Sequence, residues 1–119
     1  MNSAIGEVKI NLGGRDWVLR PSFAAIEEME STTKRGVVDL LMSLKNGSYR
    51  LSEMVAVIRA CMRAAIPEAE HCPTLAQVGD WAADEGVFHV VKVALGLLTH
   101  ILNKTKHTGD EDSGEKKAQ

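Results

Sequence analysis

The sequence predicts a mainly α protein with a small N-terminal β-hairpin (α+β), the hairpin packed on a bundle of four to five short helices. Two observations predict it. Apolar and polar residues alternate near the N-terminus, on either side of Gly13-Gly14. From residue 22 onward apolar residues recur instead at three- and four-residue spacing, the helical period. The 119 residues are 45% hydrophobic and 25% charged, the size and composition of one globular domain. Aromatics are only 4%, so the core must be built from Leu, Val, Ile, Met and Ala.

The hairpin occupies 6–20. Val8, Ile10 and Leu12 alternate with Glu7, Lys9 and Asn11. Gly13-Gly14 supplies the two positive-φ positions of a tight turn. With those glycines as the loop, Ile10 stands opposite Trp17 and Val8 opposite Leu19, and the apolar residues share one face. Two strands are marginal alone in water, so that face must lie on the helices or on another subunit. Pro21 stops the second strand.

The helices fall at about 22–33, 37–45, 51–65, 74–85 and 87–104. Ser22 caps the first, whose narrow stripe is Phe23, Ile26 and Met29 or Glu30; Glu27, Glu28 and Glu30 form an exposed acidic face. Val37, Leu40, Leu41 and Leu44 line the second, which Asn46-Gly47 ends. Leu51, Met54, Val55, Ile58, Cys61 and Met62 are the buried stripe of the third, and Pro67 terminates it. Residues 68–73 are a loop. Thr74 and Gln77 make a capping box for the fourth helix, whose apolar side is Leu75, Val78, Trp81 and Ala82; Asp80, Asp84 and Glu85 are solvated. The last helix carries the widest stripe, Val87, Val90, Val91, Ala94, Leu95, Leu98, Ile101 and Leu102, which predicts it at the centre of the core. Residues 105–119 contain no large apolar side chain and are expected as a disordered polar tail, leaving 1–104 as the domain.

Charge and composition exclude several functions. The net charge is −2, which argues against a nucleic-acid partner, since phosphates call for a basic face. The apolar run at 93–98 is far short of the roughly 18 residues that span a bilayer, so no membrane partner is expected. The first residues lack the basic and apolar regions of a signal peptide, which predicts a cytoplasmic protein. Cys61 and Cys72 do not make a disulfide framework.

No catalytic, cofactor or metal site is expected. His71, Cys72 and Cys61 lack the spacing of a zinc site, and Cys61 lies on a buried stripe. His89 and His100 stand about 16 Å apart along one helix, too far for one ion. Gly13-Gly14 joins two strands, whereas a phosphate loop opens a helix. Neither a nucleophile elbow nor a Ser-His-Asp constellation is present. What remains is protein binding: Arg15, Arg20 and Arg35 as possible contacts, and the hairpin's unpaired edges with Val18 projecting opposite Trp17. The candidate protein-binding residues are Arg15, Trp17, Val18, Arg20 and Phe23.

The order of features is itself informative. A Gly-turn hairpin runs through Leu19-Arg20-Pro21-Ser22-Phe23 into the acidic helix Ile26-Glu27-Glu28-Met29-Glu30, then a glycine, a short leucine-rich helix and a helix opening at Leu51. This resembles the tail assembly chaperone family of long-tailed phages, prophages and gene transfer agents, in its gene-transfer-agent branch, also labelled gene-transfer-agent tail tube protein. The likeness covers about 6–65 well and the last two helices only in type. It implies a protein of the host cytoplasm that binds the tape-measure protein, keeps its helices soluble and assists tail tube assembly, with the tail tube protein as a second partner. A homo-oligomer through the hairpin edge is a further expectation. The alternatives are a structural tail subunit (tail tube component) retained in the particle and a small helical regulatory binding protein; an enzyme is not expected.

Overall fold

A computed structural model describes residues 7–110. Strands β1 (Val8–Leu12) and β2 (Arg15–Leu19) form an antiparallel hairpin. Five helices follow among the described residues: α1 (Phe23–Thr33), α2 (Val37–Asn46), α3 (Leu51–Ala65), α4 (Leu75–Glu85) and α5 (Val87–Asp110). The fold is α+β and mainly α, as the two periodicities require. The loop expected over 68–73 contains a short 3₁₀ turn, Ala69–His71.

The hairpin register is the one that the turn chemistry dictates: Val8 pairs with Leu19 and Ile10 with Trp17. Gly13 and Gly14 have φ of +63° and +81°, both in the left-handed region that a two-residue primed turn needs. Ile10, Leu12, Trp17 and Leu19 are buried. The hairpin is tied to the helices by backbone as well as by side chains, since the Arg20 N–H donates to the Cys61 carbonyl at 2.9 Å.

Helix ends are closed by local chemistry. The Ser22 hydroxyl accepts from the Ala25 N–H at 3.2 Å. Thr74 and Gln77 complete the capping box, with the Gln77 N–H on Thr74 Oγ1 at 3.1 Å and the Thr74 N–H on Gln77 Oε1 at 2.9 Å. Gly47 ends α2 at φ +80°, and the Ser48 N–H reaches back to the Ser43 carbonyl, the pattern of a left-handed C-cap. Gly36 precedes α2 and has no side chain to cap it, so Glu30 of α1 accepts from the Val37 N–H at 3.0 Å.

The centre of the core is α3, not α5. It contacts α1, α4, α5 and β2, and nine of its residues are buried, from Glu53 to Met62 with only Arg59 left out. Small Ala56 and Ala60 add faces that the stripe of large residues does not include. A helix buried nearly all round sits in the middle, whereas α5 buries one side only and lies at the surface. Its buried residues are Val90, Ala94, Leu97, Leu98 and Ile101. Leu97 replaces Leu95 in the expected stripe, and Val87 is exposed.

Further corrections concern α1, α4 and the tail. Phe23 is 72% exposed, and Ala25 and Met29 carry the burial of α1. Leu75 is exposed rather than packed on the apolar side of α4. The last helix runs to Asp110, past the end expected at residue 104. Extending a formed helix adds a backbone hydrogen bond for each residue fixed, and no proline interrupts 105–110. The rest of the expected tail, 111–119, lies outside the described residues, as do 1–6 of the domain.

Candidate functional site

The five candidate residues occupy different environments. Trp17 is interior, only 7% exposed, so it positions the hairpin and offers no contact surface. Its Nε1–H donates to the Leu12 carbonyl at 2.9 Å, and its ring stacks on Trp81 of α4 with centroids 5.9 Å apart. Arg15 shares the inner face with Trp17 through the pleat and lays its guanidinium 4.2 Å from the ring centroid, a cation–π contact at the rim of the core. Arg20 is bound to Glu7, with Nε donating to Oε2 at 2.7 Å. Val18 and Phe23 project apolar surface to solvent. The cross-strand neighbour of Val18 is the exposed Lys9.

The turn between the strands is clamped by α4. A Cβ on Gly13 would fall 2.4 Å from Cε2 of Trp81, so the ring lies flush on the backbone there. One helical turn later, the Glu85 carboxylate accepts from the Gly13 N–H at 2.9 Å. Glu85 is therefore not a merely solvated residue. Trp81 and Glu85 are four apart, on one face of α4, and together they fix the angle of the hairpin.

Most of the other conspicuous charges are also spent internally. Arg35 makes a bidentate contact with Asp39 and a second with the buried Glu53, at 3.0–3.2 Å. Hydrogen bonding to Arg35 holds the Asp39 carboxyl below the usual carboxylate range. The same bonds, to Asp39 and then to Glu53, raise the Arg35 guanidinium, which stays charged. Arg35 is thus bonded within the fold and is a poor partner contact. The expected acidic face of α1 is also partly engaged: Glu28 accepts from Arg59 Nη1 at 2.6 Å, and Glu30 caps α2, leaving Glu27 exposed.

Cys61 is buried in α3, and burial pushes its thiol up to about 12, with the Glu28 charge adding to the effect. Cys72 is half-buried, and burial raises it too. Neither is an activated nucleophile. Among the described residues no group of three or more His, Cys, Asp and Glu side chains is placed to hold a metal ion. No helix among them is long and apolar enough to cross a membrane.

Sequence reasoning missed further exposed apolar side chains on α2 and α5. Phe88 is 83% exposed, and Val38, Met42 and Leu95 also project to solvent. A shallow groove of about 550 Å³ on α5 is lined by Phe88, His89, Val91, Lys92 and Leu95. The signal was present: Phe88 is an aromatic standing off the Val90–Ala94–Leu98 stripe, and Val38 and Met42 are four apart on the polar side of α2. The fold thus leaves large apolar side chains exposed on α1, α2 and α5.

The profile of the family described as phage tail tube protein, GTA-gp10, matches residues 5–104. No curated protein matches the chain, and no solved structure matches it.

Proposed function

The chain belongs to the phage tail tube protein, GTA-gp10, family, and on that premise we propose that it is a tail assembly chaperone. It binds the tape-measure protein and assists assembly of the tail tube in the host cytoplasm. It is a binding protein and not an enzyme, and neither nucleic acid nor membrane is among its partners. The observation that supports this reading is the placement of large apolar side chains on the outside of a complete core: Phe23, Val38, Met42 and Phe88. Such side chains are apolar surface that a polypeptide partner can remove from water. Coating a long helical partner calls for many such weak contacts, with avidity supplying the affinity. A second copy of the chain meets the first through the hairpin edge.

Co-expression with the tape-measure protein tests the reading. The long protein is expected in the soluble fraction only when this chain is present, and insolubility in both conditions would count against it. The family description itself favours a second reading, a tail tube component retained in the particle. Mass spectrometry of purified particles separates the two: a chaperone is absent from them, and a tube component is present at many copies.

A further inference from the structure

The core uses one side of α5. Val90, Ala94, Leu97, Leu98 and Ile101 are buried there. A second line, Phe88, Val91 and Leu95, follows at i, i+3 and i+7 on the adjoining side. At that spacing, residues of one helix meet one partner helix. This line is not consumed by the fold: Phe88 and Leu95 are exposed and Val91 is half-buried, and together they line the groove of about 550 Å³. Among the described residues, the charged or titratable lining groups are Lys92 and His89. Lys92 thus places a positive charge in the groove, on a chain whose net charge is −2. Glu85, at the neighbouring end of α4, is committed to the Gly13 N–H.

We propose that this face of α5 docks an amphipathic helix whose apolar stripe is flanked by acidic side chains. Phe88, Val91 and Leu95 receive the stripe, and Lys92 pairs with the acidic flank. A second copy of this chain is the poorer occupant. A two-fold axis passing beside Lys92 would set it against the partner's equivalent lysine, and like charges in apposition are unfavourable. The inference takes from the tail-assembly reading only the notion of a long helical partner.

The experiment uses the full chain and two synthetic helical peptides of about 15–20 residues, a length that sustains a helix in water. Both carry the same leucine stripe; one has glutamate flanks and the other lysine flanks. Fluorescence anisotropy is expected to show the glutamate peptide binding about tenfold or more tightly than the lysine peptide. Phe88→Ser should weaken that binding about tenfold or more, the behaviour of an aromatic anchor. Lys92→Glu should reverse the preference between the peptides. Both positions are exposed, so both variants are expected to melt like the parent, which separates lost docking from lost folding. Equal affinity for the two peptides, or binding indifferent to Phe88→Ser, overturns the proposal. So does sedimentation showing a dimer of the parent that Phe88→Ser dissociates. Failure here with the tape-measure protein still solubilised sinks the α5 assignment alone; peptide binding without solubilisation sinks the tail-assembly reading alone.

Discussion

At Gly13 two constraints coincide: φ is +63°, and an added methyl would lie 2.4 Å from the Trp81 ring. At Gly14 φ is +81°, but nothing lies within 4 Å of the same methyl. Gly14→Ala therefore carries only the left-handed backbone cost, about 1–2 kcal/mol. Gly13→Ala adds overpacking against a ring already stacked on Trp17, for about 2–4 kcal/mol in all. Urea unfolding of the two variants at matched slope measures the difference. The turn itself was legible, because a glycine pair between alternating strands has one common solution. The second constraint was not, since Trp81 and Glu85 reach the turn from far along the chain, the latter 72 residues on, and local chemistry does not encode that approach. The thiols allow another residue-scale prediction. A maleimide should label the half-buried Cys72 in the native state and Cys61 only on unfolding, giving two labelled sites in denaturant. The folded Cys61 thiol is raised from the ordinary 9.0 to about 12. The native state thus holds the proton longer than the unfolded chain does. Its contribution to stability is intact below pH 9.0 and falls as pH rises towards about 12. Cys61→Ala should flatten that alkaline decline relative to the parent in urea titrations across the same window.

Among the elements, helix phase is where periodicity and packing part company. On α5 the spacing admits Leu95 and Leu97 about equally to an apolar side, and only tertiary contact separates them: Leu97 is fully buried and Leu95 is 38% exposed. Leu97→Ala should cost about 2–5 kcal/mol, the range for a buried leucine, while Leu95→Ala stays within about 1 kcal/mol. Comparable losses at both positions would mean that the helix is rotated from the phase described. The same limit hides the place of α3 as the hub. Its large residues mark a single stripe, but Ala56, Val57 and Ala60 close the remaining faces, and alanine carries little hydrophobic signal in a sequence. Helix starts were more legible than helix phases, because Ser22 and Thr74 cap through atoms within three residues of themselves. The α2 start was not, because its acceptor comes from Glu30 on the preceding helix. The candidate site divides in the same manner. Val18 lies on the outer face that strict strand alternation dictates, whereas exposure of Phe23 and Phe88 depends on which helix faces the fold leaves uncovered.

Across the whole molecule, the hairpin is held at three points: its inner face on the core, the Arg20 N–H on Cys61 of α3, and its turn on Trp81 and Glu85 of α4. So firm an attachment makes the ribbon a rigid outer wall of the helical body. Among the described residues neither strand pairs with a third, and an unpaired strand edge is a template for another chain. Natural edges are protected by lysine, and Lys9 already stands across from Val18 on the outward face. Val18→Lys would place two ammonium groups side by side, repelling each other and any second copy that approaches the same surface. If the edge joins copies of the chain, light scattering should show the assembled species shrink towards the monomer in Val18→Lys. The conservative Val18→Thr, which keeps strand propensity, should retain the parental size. Melting of both variants near the parental temperature would confirm that association and not folding has changed, because Val18 already lies on the solvent side of the ribbon. A mass in solution that the lysine leaves untouched would mean that the edge faces water, and the burden of partner binding would pass to the helical faces alone.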